Sequence, residues 1–155
     1  MENPEKKKVN HEDSKSTLRN LLDSRYVGVL ATSREDWPYA NLVAFAVSDN
    51  LSEMIFTTPR QSRKYENLSA NPRVSVLIDD RSNDIADLKD AVAATAIGTA
   101  VEVDGSEKKR CLAVYAAKHP HLHDFAHAAT TAVFRITVEK YIMVSRFQNV
   151  VEIAP

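Results

Sequence analysis

Ser62, Arg63 and Lys64 stand side by side in the chain and together could bind an anion. They follow an apolar run and Pro59, and they open the segment 62–69, which is predicted to form a short helix. The first turn of a helix presents unpaired N–H groups and a partial positive charge, which favour a phosphate group. The serine hydroxyl can cap the helix or donate to a phosphate oxygen, and the two cations supply full charges.

The position of these cations is unusual for a purely structural helix. Cations near a helix N-terminus oppose the helix dipole, so stability alone favours Asp or Glu there. An anionic ligand would remove this conflict. On this segment alone, a basic turn in contact with water explains the same residues equally well.

The histidines and the cysteine could also carry chemistry. His123 and His127 would share one face of a helix, so a metal ion or a haem iron is one interpretation. Pro120 makes a helix there uncertain, and a ligand spacing such as His-Glu-x-x-His is lacking, so a surface cluster running from His119 to His127 is preferred. Cys111 is expected to be a buried apolar residue. No nucleophile–base pair is recognised, and no metal site is expected.

The whole chain has the composition of one globular domain. It has 155 residues, 44% of them hydrophobic, and a formal net charge of −1, which predicts no long-range attraction to nucleic acid or anionic membranes. Aromatic residues at 7% also disfavour an oligonucleotide-binding barrel. A single cysteine and the lack of a long apolar run lead us to expect a cytoplasmic protein.

Alternating apolar residues predict a mainly antiparallel β fold with short helices. Residues 1–16 are polar and are predicted to form a flexible tail, and residues 17–155 are predicted to form the folded domain. Six or seven strands with only short helices exclude a parallel sheet, which needs a helix between successive strands. Closing an antiparallel sheet removes its edges, so we expect a small barrel. The predicted strands are 26–32, 39–48, 54–58, 73–79, 91–103, 132–144 and 147–153, with a turn at 33–38.

The order of seven segments carries a family resemblance. The first segments are, in order, Thr58, Ser62-Arg63-Lys64, Asn67-Leu68 and Asn71-Pro72-Arg73. They are followed by a strand built on Gly-x-Ala at residues 95–103 and by Lys118-His119-Pro120. Together with the strand 39–45, they resemble the pyridoxamine phosphate oxidase-like, FMN-binding split β-barrels. The resemblance spans about residues 16–153 and implies an antiparallel split barrel that forms a homodimer.

The resemblance also implies a cofactor and its contacts. FMN would lie at the interface between two subunits, with its phosphate held by Ser62, Arg63 and Lys64. The other residues that it implies near the cofactor are Thr57, Thr58, Asn41, Leu42 and Val43 in the same subunit, and Arg81, Asn83 and Arg146 from the second one.

The expected function is that of an FMN-dependent oxidoreductase with an unknown substrate. The flavin supplies the hydride and electron chemistry, so no catalytic residue is named. The chain continues after Arg146 with acidic and apolar residues, whereas pyridoxamine phosphate oxidases have a basic and aromatic clamp, so oxidation of vitamin B6 is not expected. The alternative is a non-catalytic flavin- or haem-binding protein, and a deazaflavin could replace FMN.

Overall fold

The computed structural model describes residues 11–146 and 148–155. Within these residues a seven-stranded antiparallel sheet is accompanied by five α-helices and a short 3₁₀ turn at Pro120–Leu122. The helices are α1 (His11–Ser24), α2 (Arg63–Ala70), α3 (Asp87–Asp90), α4 (Gly105–Lys118) and α5 (His123–His127). The strands are β1 (Val27–Arg34), β2 (Trp37–Val47), β3 (Glu53–Pro59), β4 (Arg73–Asp79), β5 (Ala93–Glu102), β6 (Thr131–Ser145) and β7 (Asn149–Ile153).

Six of the strands close into a barrel, as predicted. Their order is β3-β2-β1-β4-β5-β6, and the ring closes because β3 also pairs with β6. Strand β6 is long enough to pair with β3 through its first half and with β7 through its second half. Closure pairs the edges that an open sheet would leave exposed.

The alternation of side chains divides the apolar residues into two clusters. In β4, for example, Val74, Val76 and Ile78 point into the barrel, where they join the main core. A second cluster lies outside the barrel wall, where Cys111 and Tyr115 of α4 are buried with residues of β3 and β6. The prediction that Cys111 is buried is therefore confirmed.

The β1–β2 hairpin is tighter than the sequence suggested. Its turn consists of Glu35 and Asp36, both with positive φ angles of 51° and 63°, and Arg34 pairs directly with Trp37. Two residues with positive φ are typical of a type I′ turn, whose twist matches that of the flanking strands. The turn predicted over residues 33–38 is therefore confirmed only for its two central residues, and Trp37 is a strand residue.

Two further elements differ from the expectation. Residues 11–16, which were predicted to belong to the flexible tail, are part of helix α1, where Ser14 is buried one helical turn before Leu18. Residues 1–10 of the predicted tail lie outside the described residues. In the histidine-rich segment, α5 forms three residues after Pro120, so His123 and His127 share a short helix. Among the described residues, no helix is both long and apolar enough to cross a membrane.

Candidate functional site

The start of α2 is fixed by two hydroxyl groups. Ser62 is the N-cap residue, and its Oγ accepts a hydrogen bond from the Tyr65 backbone N–H at 3.2 Å. The buried Thr58, near the end of β3, lies 2.8 Å from the same oxygen through its Oγ1. This pair connects the strand to the helix and confirms the predicted cap, which satisfies one of the unpaired N–H groups of the first turn.

The two cations at this helix start have no carboxylate partner among the described residues. Arg63 is exposed, and its guanidinium lies 5.3 Å from the ring centre of Tyr39. Lys64 is half-buried, and this burial lowers the pKa of its ammonium group. A partly desolvated cation without an ion pair is costly, so an anion at this position would stabilise it.

Helix α2 is held against the barrel by buried and exposed contacts. The Asn67 side chain donates through Nδ2 to the Thr32 hydroxyl of β1 at 3.0 Å, and both residues are buried. On the surface, Arg34 lies 3.7 Å from Glu66, an exposed pair that contributes little stability. The Asn67 contact therefore fixes the direction in which the first turn presents its N–H groups.

Arg60, the third cation nearby, has another role. It forms an ion pair with Glu102 at the end of β5, and this carboxylate raises the pKa of Arg60. Tyr65 also donates to Glu102, at 3.2 Å. Arg60 therefore contributes to the connection between α2 and β5, and it is not a free cation of the anion site.

The three predicted residues of β2 point in two directions. Val43 is buried in the barrel core, whereas Leu42 on the opposite face is 67% exposed. Asn41 shares the inward face with Val43, and its buried Oδ1 has no hydrogen-bond partner among the described residues. An unpaired buried acceptor costs about 1–3 kcal/mol, so this atom is suited to an N–H donor from a ligand.

The structure separates the two threonines of β3. Because successive strand residues face opposite sides, Thr57 points away from Thr58 and lies under α4. Its hydroxyl donates to the Tyr115 oxygen at 3.2 Å, and burial raises the pKa of Tyr115, which stays protonated. Thr58 therefore lies at the start of α2, whereas the Thr57 side chain belongs to the packing of α4.

The remaining predicted residues lie at the other end of β4. Strand β4 begins at Arg73, just after α2, and runs for about 20 Å before Arg81 and Asn83. Arg81 is exposed and forms an ion pair with Asp79 at 2.9 Å. Arg146 follows β6 and lines a cavity together with Leu88, Lys89 and Asp90 of α3. A single chain therefore does not bring these three residues to α2.

The histidines also separate into two environments. His119 is buried, its Nε2 lies 2.7 Å from the Phe45 carbonyl oxygen, and burial lowers its pKa, so it belongs to the packing of α4. His123 and His127 are exposed and stacked, with ring centres 4.0 Å apart. Among the described residues, no group of three or more potential ligands is arranged to hold a metal ion.

A row of four apolar residues and one threonine crosses the outside of the barrel on five neighbouring strands. Leu42 pairs in register with Val29 and then Leu77, and the row continues through Thr95 to Ile142. We call these five residues the outer row. Except for the more exposed Leu42, they are half-buried in the single chain. No polarity or spacing signal in the sequence identified this row, because it depends on the register of five strands.

A cavity of about 350 Å³ lies between the β1–β2 hairpin and α2. Trp37 and Tyr39 of β2 line it, and Arg63 of α2 lies over the Tyr39 ring. The tight hairpin turn places Trp37 and Tyr39 on the same face of β2, two residues apart.

Comparison with known proteins agrees with this architecture. The family model described as pyridoxamine 5'-phosphate oxidase matches residues 14–145. A pyridoxamine 5'-phosphate oxidase homolog of Schizosaccharomyces pombe is 36% identical over 78 residues, which cover 45% of this chain and only 40% of that protein.

Solved structures with the same fold have low sequence identity to this chain. A haem-binding protein from Mycobacterium smegmatis superposes with a TM-score of 0.77 at 20% identity, covering 88% of this chain and 55% of that one. A FAD-binding protein from Mesorhizobium loti superposes with a TM-score of 0.66 at 22% identity, covering 83% of this chain and 91% of that one. At these identities the likeness concerns the fold alone.

Proposed function

Because this chain belongs to the pyridoxamine 5'-phosphate oxidase family, we propose that it binds FMN and acts as an oxidoreductase. One observation carries the proposal. The capped start of α2 presents Ser62, Arg63 and Lys64, and among the described residues neither cation has a carboxylate partner. A phosphate group would supply the missing negative charge at the positive end of the helix.

The residues present fit FMN. The N–H groups of the first turn, the Arg63 guanidinium and the Lys64 ammonium would hold the phosphate. The unpaired Oδ1 of Asn41 would accept a hydrogen bond from an N–H of the cofactor. When bound, FMN supplies hydride and electron transfer, and the protein orients the ring and limits access of water to it.

The same proposal includes a homodimer. A second copy of the chain would cover the outer row, which is mainly apolar and exposed or half-buried in one chain. Two-fold symmetry would bring the same patch of both subunits together. Such an arrangement would let Arg81, Asn83 and Arg146 approach a cofactor held by α2 of the partner, which they do not reach within their own chain.

Catalysis is tested by anaerobic reduction of the flavin-loaded protein. We expect NADPH or NADH to bleach the flavin absorption slowly and oxygen to restore it, because a catalytic flavin must be accessible to an electron donor. A bound flavin that no nicotinamide or small organic donor reduces would argue for a carrier or sensor.

Haem is the second candidate ligand. The stacked His123 and His127 are exposed, and the His127 Nδ1 lies 2.7 Å from the His123 carbonyl oxygen, which leaves Nε2 available to iron. A structural neighbour, the M. smegmatis protein, is named as haem-binding. Added hemin should then give a sharp absorption band that His123→Ala or His127→Ala abolishes and that His121→Ala, an exposed histidine outside the pair, retains.

A further inference from the structure

The cavity between the β1–β2 hairpin and α2 continues from the proposed phosphate site. Arg63 belongs to both: its backbone follows the cap residue Ser62, and its guanidinium lines the cavity over Tyr39. A ligand phosphate at the start of α2 would therefore lie beside this cavity. At about 350 Å³, the cavity is at the lower end of ligand sites, which suits one part of a larger ligand.

The walls of the cavity are suited to a nucleobase. Trp37 is 79% exposed at the hairpin and offers an indole face, and Tyr39 lies beside it with one face covered by Arg63. Aromatic rings and guanidinium planes are the groups on which bases stack in proteins.

The charges of the cavity favour an uncharged ring over another phosphate. Two arginines, Arg34 and Arg63, are balanced by two glutamates, Glu35 and Glu66. The Glu66 carboxylate lies 3.7 Å from Arg34, outside hydrogen-bond distance, so its oxygens can accept from an exocyclic amine. Adenine carries such an amine.

We propose that this cavity binds the adenosine group of a dinucleotide whose phosphates lie at the start of α2, so that the flavin site accepts FAD as well as FMN. The inference rests on the proposed flavin function and extends it. It assigns a role to Trp37, the only tryptophan of the chain, which neither the core nor the phosphate site uses.

The test compares FMN and FAD on the intact protein. We expect FAD to bind the wild type at least as tightly as FMN. The variant Trp37→Ala should lower the affinity for FAD by about 5- to 100-fold, which is the range for one base stacked on an aromatic ring. It should lower the affinity for FMN by less than about twofold. Phe125→Ala, an exposed aromatic on α5, is the matched control and should change neither affinity.

A second readout is independent of flavin absorption. Because Trp37 is the only tryptophan, its emission should be quenched when ADP, which carries no flavin, stacks on it. If FMN binds but FAD does not, or if Trp37→Ala affects both equally, the inference is overturned and the proposed function stands. If neither flavin binds, the proposed function itself fails.

The electron donor is a second source of adenosine. A parallel titration with NADPH, with FMN already bound, distinguishes adenosine of the flavin from adenosine of the electron donor. Binding of NADPH that depends on Trp37, with FAD binding that does not, would overturn the assignment of the cavity to the flavin. FAD binding that depends on Trp37, with NADPH binding that does not, supports it.

Discussion

Replacing Arg63 and Lys64 together by glutamate should weaken FMN binding by at least about 100-fold. A hydrogen bond to a charged group contributes about 1.5–3 kcal/mol, so two lost contacts correspond to about 3 kcal/mol or more. Lys64→Glu alone should cost at least about 1.5 kcal/mol, which is about tenfold. Titration of the apoprotein, followed by flavin fluorescence, measures both effects.

The fold should tolerate this charge reversal. Glutamates in the first turn of α2 are favourable to the helix dipole, so the unfolding midpoint in urea should stay the same or rise. Lys15→Glu with Lys109→Glu is the matched control, because it changes the net charge equally at two exposed positions away from α2. An equal loss of FMN affinity in this control would show that only the overall charge matters.

The second large effect is expected at the outer row. Leu42→Asp should convert the dimer into a monomer and remove flavin binding with it. In the single chain Leu42 is 67% exposed, so the carboxylate remains in water and the monomer stays folded. In a symmetric dimer the same change buries two unpaired charges, at about 2–5 kcal/mol each, which weakens association by about 1000-fold or more.

Light scattering and flavin content measure the two consequences separately. Phe125→Asp places the same charge at an exposed apolar residue of α5, outside the outer row, and should leave both unchanged. A Leu42→Asp protein that remains dimeric with full flavin content contradicts the proposed interface. A wild-type monomer with full flavin content contradicts the dimer altogether.

Local chemistry made the start of α2 predictable from the sequence. Ser62 is a strong N-cap residue behind a proline, and the structure places its oxygen on the Tyr65 N–H. The alternation of apolar and polar residues along the strands made the barrel core predictable for the same reason, as in β4. These features depend on neighbouring residues in the chain, which are visible in one sequence.

Features that depend on the closed barrel were not predictable in the same way. The Glu35-Asp36 turn lacks the glycine that usually marks a two-residue hairpin, so its tightness was missed, and with it the cavity beside Trp37. The burial of His119 follows from its contact with Phe45, which is 74 residues away in the chain. Such long-range packing leaves no local pattern.

The start of α2 is proposed to bind the phosphate of a flavin. Calorimetric titration of the flavin-free protein with FMN and, separately, with riboflavin isolates this contact, because the two ligands share the ring and the ribityl chain and differ only in the phosphate. We expect one FMN per chain and an affinity at least about 100-fold higher than that for riboflavin, from two charge-assisted contacts. Equal affinities for FMN and riboflavin would contradict the assignment of Ser62, Arg63 and Lys64 to the phosphate.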